Sequence, residues 1–243
     1  MGKKVLLING SSRKKNTYSI LVQIGQILKK YDIDSEILNM FDYKLDDCTG
    51  CDEICIKKDG CNISDDMPVI MKKIIESDGI VFGTPVYLGG VTSKLKTFID
   101  RTNTWFHKPE LAGKPVFSVI TTATTGIKET CNFLDQYAVR LGARKAGYIS
   151  RSVKTWNVPV EEKEMKRFLS LLNTGENYYK PGMNQIIIFQ VQKVLALKSD
   201  GSDRKFWEER NWINKYYYYN CRINILKKAF SKMMFKILTN AMK

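Results

Sequence analysis

Hydrophobic positions in the first 150 residues follow two spacings, one typical of buried strands and one typical of amphipathic helices. Short apolar runs predict strands over residues 4–9, 35–40, 79–83, 116–121 and 146–150. Apolar residues at the helical period predict helices over residues 17–31, 67–76, 93–105, 128–141 and 161–172. Because parallel strands need a crossover connection, this alternation predicts a parallel sheet that is covered on both faces.

The segment Lys3–Ser19 predicts an anion site between the first strand and the first helix. The apolar strand ends at Asn9, hydroxyl and basic residues follow, and the helical pattern begins at Thr17. A helix N-terminus offers free N–H groups and a positive dipole end to phosphate, and Arg13 can neutralise the phosphate charge. The loop has neither G-x-G-x-x-G nor G-K-[ST]. It suits a terminal phosphomonoester such as that of FMN, and a capped turn that binds nothing is the alternative.

Two further loops are predicted to lie at the same edge, because ligands bind outside the carboxyl ends of parallel strands. Residues 84–90, TPVYLGG, offer an aromatic ring and backbone amides to the edge of a flavin. Residues 121–126, TTATTG, offer hydroxyls and amides to its polar end. For each loop taken alone, an ordinary surface turn is the alternative.

A third motif is a group of four cysteines, spaced C-x2-C-x3-C-x5-C, at Cys48, Cys51, Cys55 and Cys61. Four thiolates on one compact loop can wrap a cubane iron–sulfur cluster. A structural zinc ion usually joins two separated cysteine pairs. The motif is therefore compatible with three interpretations, which are an iron–sulfur cluster, free thiols and a zinc site. With no leader sequence expected, we predict a cytoplasmic location, where structural disulfides are rare.

Three stretches resemble the flavodoxin-fold NAD(P)H-dependent FMN reductases and their cysteine-bearing branch, the iron–sulfur flavoproteins. They are NGSSRKKNT, CTGCDEICIKKDGCNISDDM and GTPVYLGGVTSKLKTFIDR, all within residues 3–150. The resemblance implies an α/β fold with a flavodoxin-like doubly wound five-stranded parallel sheet in the order 2-1-3-4-5. It also implies non-covalent FMN, a 4Fe–4S cluster on the four cysteines, NAD(P)H as co-substrate and a homo-oligomer.

Carried over by position, the resemblance implies two sets of FMN contacts. The phosphate ligands would be Ser11, Arg13, Asn16 and Thr17. The ring would lie against Pro85, Val86, Tyr87 and Thr122. No catalytic side chain is expected, because the flavin itself carries the redox chemistry.

Charge changes along the chain. Residues 1–150 hold 21 Lys+Arg against 17 Asp+Glu, whereas residues 151–243 hold 18 against 8. We predict a flavodoxin-like FMN-binding domain over residues 1–174 and a basic, aromatic-rich helical extension over residues 175–243. The extension ends in an amphipathic helix with an apolar stripe: Ile223, Leu226, Phe230, Met233, Met234, Ile237 and Ala241. This stripe can pack on its own domain or a partner subunit, or lie on an anionic membrane, with nucleic acid the least favoured partner.

The function predicted from these observations is an FMN-dependent oxidoreductase of the iron–sulfur flavoprotein type. It would move electrons between NAD(P)H, or a reduced ferredoxin-like carrier, and a quinone, a flavin or another small acceptor. The alternatives are a flavodoxin-type electron carrier without its own substrate, a plain FMN reductase lacking the cluster, and a non-redox interaction module.

Overall fold

A computed structural model describes residues 2–51, 55, 60–199 and 201–241. Its strands are β1 (Lys4–Asn9), β2 (Asp34–Asn39), β3 (Gly79–Pro85), β4 (Pro115–Thr122) and β5 (Arg144–Ser152). They form one sheet in the order β2-β1-β3-β4-β5, and every neighbouring pair is parallel. The predicted fold class is therefore confirmed. The order reverses beside β1, which is where such sheets bind ligands.

The helices of the described residues follow the predicted positions closely. They are α1 (Asn16–Lys29), α2 (Met67–Glu76), α3 (Ser93–Arg101), α4 (Thr104–His107), α5 (Ile127–Arg140), α6 (Glu162–Asn173), α7 (Met183–Lys198), α8 (Ser202–Glu209) and α9 (Ile225–Ala241). The single helix predicted over residues 93–105 is wrong, because α3 and α4 are separate. Thr102 interrupts the helix: its hydroxyl donates to the Ile99 carbonyl at 2.7 Å and lies 3.0 Å from the Tyr137 hydroxyl.

The sheet separates two hydrophobic cores. Along β1, Leu6 and Ile8 belong to one core, and Val5 and Leu7 belong to the other, because successive side chains of a strand point to opposite faces. Helices α2, α3 and α5 cover the first face, and α1 and α6 cover the second. Burial on both faces explains why the central strands read as continuous apolar runs.

The chain beyond α6 packs against this layered unit through a cluster of aromatic rings. The cluster contains Tyr179, Phe189, Trp207, Trp212, Tyr217, Tyr218 and Tyr219. Buried Gln192 fixes α7 beside it, donating to the Phe106 carbonyl at 2.6 Å and to the Arg140 carbonyl at 2.7 Å. The aromatic run of the extension is therefore core. The predicted boundary after residue 174 stays a prediction.

His107, the single histidine of the chain, takes part in the same contact. Its Nδ1 lies 3.1 Å from a carboxylate oxygen of Asp203, and its carbonyl accepts the indole N–H of Trp207 at 2.8 Å. Both partners lie on α8, so His107 helps to hold the extension on the sheet domain. Within the described residues, no helix reaches the length and apolar character that crossing a membrane requires.

Candidate functional site

A cavity of about 420 Å³ opens at the carboxyl edge of the sheet. Its lining residues are Ser11, Arg13, Lys15, Asn16, Thr17, Pro85, Val86, Tyr87, Thr121, Thr122, Ala123 and Trp156. All eight residues that the sequence predicts for FMN lie on this one surface. The volume falls within the range of about 300–1,000 Å³ that is usual for ligand pockets.

The first wall is the loop from β1 into α1. The Asn9 side chain holds the backbone of this loop through two hydrogen bonds. Its oxygen accepts the Ser11 amide at 3.2 Å, and its nitrogen donates to the Ser11 carbonyl at 3.1 Å. The Ser11 hydroxyl accepts the Arg13 amide at 3.2 Å. These local bonds give the loop a defined shape without using the guanidinium of Arg13, which is exposed.

The N-terminus of α1 is left open toward this wall. No side chain caps it, no acidic residue lies in its first turn, and the Ser19 amide is the first to find an acceptor, the Lys15 carbonyl at 2.8 Å. Within the described residues, the amides of Asn16, Thr17 and Tyr18 therefore have no acceptor. Free amides at the positive end of a helix dipole, with Arg13 and Lys15 beside them, form an anion site.

The second wall, residues 84–90, approaches the first very closely. The Gly10 amide donates to the Gly83 carbonyl at 2.7 Å, and the Thr92 hydroxyl donates to the Gly10 carbonyl at 2.6 Å. A Cβ on Gly10 would lie 3.0 Å from the Gly83 carbonyl oxygen and 3.2 Å from Leu95. A side chain here would fit only if a neighbouring residue moved, and glycine allows the close approach of the two loops.

The tip of the second wall is a tight turn that projects into solvent. Tyr87 and Gly90 exchange both backbone hydrogen bonds at 3.0 Å. Between them, Leu88 has a φ of +48° and is fully exposed. An apolar side chain in the left-handed region costs roughly 1 kcal/mol or more. The turn holds the half-exposed ring of Tyr87 at the mouth of the cavity.

The third wall, residues 121–126, is tied to both other walls. The Val86 amide donates to the Thr121 carbonyl at 2.7 Å, and the Thr17 and Thr121 hydroxyls lie 2.8 Å apart. The Thr122 hydroxyl donates to the Thr125 carbonyl at 2.7 Å and accepts the Thr124 amide at 3.2 Å. Thr122 lines the cavity as predicted, but its hydroxyl is engaged within its own loop.

Sequence reasoning missed a fourth wall, which Trp156 provides. Trp156 follows β5, the edge strand, whose loop was not considered. Its indole nitrogen is buried and has no hydrogen-bond partner within the described residues. A lone tryptophan just beyond a strand's carboxyl end was the available signal. Thr121 and Ala123 belong to the predicted loop of residues 121–126, and Lys15 lies in the predicted anion segment but was not named as a phosphate ligand.

A partly buried ion pair holds the loop of Trp156 in place. The Arg151 guanidinium donates to Glu164 at 3.0 and 2.8 Å, to the Val158 carbonyl at 3.2 Å and to the Pro159 carbonyl at 3.0 Å. The hydrogen bonds from Arg151 to the Glu164 carboxylate hold the pKa of Glu164 below its usual value. The loop that carries Trp156 is therefore anchored to β5 before it and to the first turn of α6 after it.

The donor set of the cavity fits FMN. Within the described residues, the first wall presents free amides and two basic side chains, which suit a phosphate. The lining also includes Pro85, Val86 and the rings of Tyr87 and Trp156, which suit a flat aromatic ring. The indole N–H of Trp156, which has no partner in the described part of the chain, is a donor that a polar ligand atom would satisfy.

The cysteine segment leaves the same edge after β2 and is held where it begins and ends. The buried Arg101 guanidinium is ion-paired with Asp65 and donates to the Asp46 carbonyl at 2.9 Å. Burial would raise the pKa of Asp65, but the hydrogen bonds from Arg101 and from the amides of Asp46 and Met67 outweigh it and lower that pKa. Arg101 thus clamps both ends of the segment to α3.

The four cysteine side chains of the segment differ in burial and in the residues that they contact. Cys51 and Cys55 are half-buried neighbours, and burial, followed by the nearby Cys51, raises the pKa of Cys55. Cys61 is exposed and contacts the Arg101 side chain, and Cys48 is also exposed. Among the described residues, no three His, Cys, Asp or Glu side chains are gathered as metal ligands. Residues 52–54 and 56–59 of the predicted cluster segment lie outside the described residues.

Comparisons with known proteins agree with this geometry. The model of the family described as NADPH-dependent FMN reductase matches residues 3–155. An iron-sulfur flavoprotein of Archaeoglobus fulgidus is 27% identical over 234 residues, which cover 86% of this chain and 100% of that protein. A second one from the same organism is 43% identical over 99 residues, 41% of this chain and 48% of its own length. The aligned part therefore spans about half of that relative.

Among solved structures, RosB with the bound intermediate 8-demethyl-8-formylriboflavin-5'-phosphate has a similar fold. Its TM-score is 0.55 at 15% identity, and the match covers 92% of both chains. At this identity the likeness concerns the fold alone.

Proposed function

The chain belongs to the NADPH-dependent FMN reductase family, as the resemblance predicted, and we propose that it binds FMN in the cavity and works as an oxidoreductase. When bound, FMN supplies the chemistry, accepting a hydride or single electrons and passing them on. The observation that carries the proposal is the cavity itself, which joins the open N-terminus of α1 to an aromatic and apolar wall.

The residues of the cavity have separate roles in this proposal. Arg13, Lys15 and the first-turn amides of α1 bind the phosphate. Pro85, Val86 and Tyr87 hold one side of the ring system. Trp156 donates its indole N–H to a polar atom of the cofactor. Ser11, Asn16, Thr17 and Thr122 shape the loops and add polar atoms to the lining.

NAD(P)H or a reduced ferredoxin-like carrier is the proposed electron donor, and a quinone, a flavin or another small molecule is the proposed acceptor. Donor and acceptor would use the cavity mouth in turn. The mouth is where Tyr87 and the exposed tip residue Leu88 lie.

The test is a titration of the flavin-free full chain with FMN, followed by steady-state oxidation of NADH and of NADPH. We expect stoichiometric binding and oxidation of at least one nicotinamide. Binding without nicotinamide oxidation, but with rapid reduction by a ferredoxin, would leave the flavodoxin-type carrier as the function. A chain that takes up no FMN would contradict both.

We further propose that Cys48, Cys51, Cys55 and Cys61 hold a 4Fe–4S cluster, as the names of the relatives suggest. The adjacent Cys51 and Cys55, and the clamp of Arg101 on both ends of the segment, support a compact arrangement. Such a site closes only when thiolate–iron bonds form.

Anaerobic purification with iron and sulfide assays tests the cluster. We expect about four irons per chain, the content of one such cluster. Cys51→Ser should remove most of the iron, and the matched control Cys221→Ser, which changes a cysteine outside the segment, should not. Less than one iron per chain in the unaltered protein would leave the plain FMN reductase as the function.

A further inference from the structure

Helix α9 is joined to the rest of the molecule along one side only. Ser231 is the buried residue of the helix, and its hydroxyl accepts from the side chain of buried Gln190 on α7 at 2.8 Å. The Lys193 ammonium lies 4.9 Å from the centre of the Phe235 ring. The packed side is therefore centred near Ser231 and Phe235, and not on the apolar stripe that the sequence shows.

Part of that stripe remains in solvent. Ile225 is 84% exposed, Leu226 79%, Met233 51% and Ile237 50%. Leu226, Met233 and Ile237 recur at helical spacing, so they form one apolar strip along the helix. Large aliphatic side chains scattered singly on a surface need no explanation, but a row of them on one helix face indicates a partner.

A row of lysines runs beside the apolar strip. Lys228, Lys232 and Lys236 are exposed and spaced four residues apart, so they lie along the same flank of the helix. Within the described residues, none of them is in a salt bridge. The chain has no acidic residue after Glu209, so this end of the molecule carries uncompensated positive charge.

Arg222, three residues before α9 begins, lies beside an exposed aromatic ring. Tyr178 is 65% exposed, and the Arg222 guanidinium lies 5.2 Å from the centre of its ring. Tyrosine rings favour the boundary between water and hydrocarbon, and arginine favours lipid phosphate.

We propose that α9 lies on the surface of an anionic phospholipid bilayer, with the apolar strip entering the headgroup region and the lysine row contacting phosphate. A helix with aliphatic residues on one face and lysines at its flank is the pattern of interfacial helices. Charge complementarity decides the occupant. A second copy packed antiparallel through the same face, about a twofold axis perpendicular to the helix, would bring the lysine rows of the two copies together. A nucleic acid would neutralise the lysines but leave the apolar strip unused.

Cosedimentation of the full chain with vesicles tests this proposal. We expect binding to phosphatidylcholine vesicles that contain about 30 % phosphatidylglycerol, little binding to phosphatidylcholine alone, and weaker binding at high salt. The triple variant Lys228→Gln/Lys232→Gln/Lys236→Gln should lower the partition coefficient at least tenfold, since each lysine near an anionic surface contributes about fivefold. Leu226→Ser/Ile237→Ser should also weaken binding, by removing the apolar contact.

The matched control is Lys29→Gln/Lys30→Gln/Lys166→Gln, which makes the same change in net charge on exposed positions at the end of α1 and on α6. It should bind vesicles nearly as well as the unaltered chain. Circular dichroism and thermal unfolding check that each variant is folded. All of these residues lie away from the cavity, so FMN binding should not change.

Three results would overturn the proposal. One is equal loss of vesicle binding in the control and in the α9 lysine variant. Another is a dimer in lipid-free solution that Leu226→Ser/Ile237→Ser dissociates, because a second copy would then cover the strip. The third is binding to duplex DNA or RNA that the lysine variant abolishes and Leu226→Ser/Ile237→Ser leaves intact.

Discussion

Two loop systems leave the carboxyl edge of the same sheet, and they are held in different ways. The walls of the cavity are bonded to one another, as the contacts of Thr17 with Thr121 and of Thr92 with Gly10 show. In the described part of the cysteine segment, Arg101 bonds to the residues where the segment begins and ends. Among the described sulfur atoms, those of Cys51 and Cys55 are neighbours, and no third metal-ligating side chain of the described residues is gathered with them.

The difference follows from what each site would bind. FMN would bind through hydrogen bonds and ring contacts, which a protein can prepare by packing its loops together before the ligand arrives. A metal cluster would be held by thiolate–iron bonds, which close the site themselves. The two sites should therefore respond to different substitutions.

The largest expected effect is the loss of unfolding free energy when Arg101, which clamps the cysteine segment, is replaced. Arg101→Gln would leave Asp65 buried without its partner, and should lower the free energy of unfolding by about 3–5 kcal/mol. Urea unfolding measures the change. Lys96→Gln, on the same helix, removes an exposed ion pair with Asp100 and should cost less than about 1 kcal/mol.

Arg101→Lys sharpens the comparison, since it keeps the charge but not the two-pronged contact. We expect it to lower the iron content more than the affinity for FMN. Equal losses of iron and FMN would show that the two loop systems are one cooperative unit. Equal unfolding energies for Arg101→Gln and Lys96→Gln would show that the clamp is unimportant.

The next effect is on the anion end of the cavity. Arg13→Gln should weaken FMN binding about tenfold, because a charged hydrogen bond to the phosphate is lost. Riboflavin, which lacks the phosphate, should bind equally to both proteins. Flavin fluorescence measures both affinities. The neighbouring Lys14→Gln makes the same charge change outside the cavity lining and should have little effect. Equal weakening of riboflavin binding would contradict a phosphate contact.

A smaller effect is expected at Trp156. Trp156→Phe keeps an aromatic ring but removes the indole N–H, and should weaken FMN binding about fivefold. The same change should not destabilise the flavin-free protein through a lost hydrogen bond, because this N–H has no partner among the residues that the structure describes. Comparing thermal unfolding with and without FMN separates the two effects. An unchanged affinity for FMN would exclude Trp156 as a donor to the cofactor.

The smallest effect is the pH dependence of the loop that carries Trp156. The pKa of Glu164 is lowered in the folded protein, so the Arg151 pair stabilises the fold fully above the unfolded pKa of about 4.3. That stability is lost as the pH falls through the lower, folded pKa. Unfolding of the wild type and of Glu164→Gln, followed from pH 7 to about pH 3, should therefore differ by roughly 1 kcal/mol near neutrality and converge in acid. A constant difference would show that Glu164 acts through packing.

Local patterns were sufficient for much of the fold and of the cavity. Apolar runs and helical periods located the strands, and a general rule about parallel sheets brought loops from β1, β3 and β4 together. Neither the local patterns nor the rule about parallel sheets reveals side-chain contacts between distant segments. Thr102, where α3 ends, contacts Tyr137, and Arg151 beside the loop of Trp156 contacts Glu164 in the next helix. The roles of the eight lining residues toward FMN stay predictions.

The sequence by itself determined the family and the edge at which a ligand would bind, because the motifs and the apolar runs lie within short segments. The order of the sheet came from the resemblance to that family. Only the tertiary structure decided which side of α9 is buried, which residues clamp the cysteine segment, and that Trp156 closes the cavity. Each of these depends on side chains far apart in the chain, whose contact is set by the packing of whole elements.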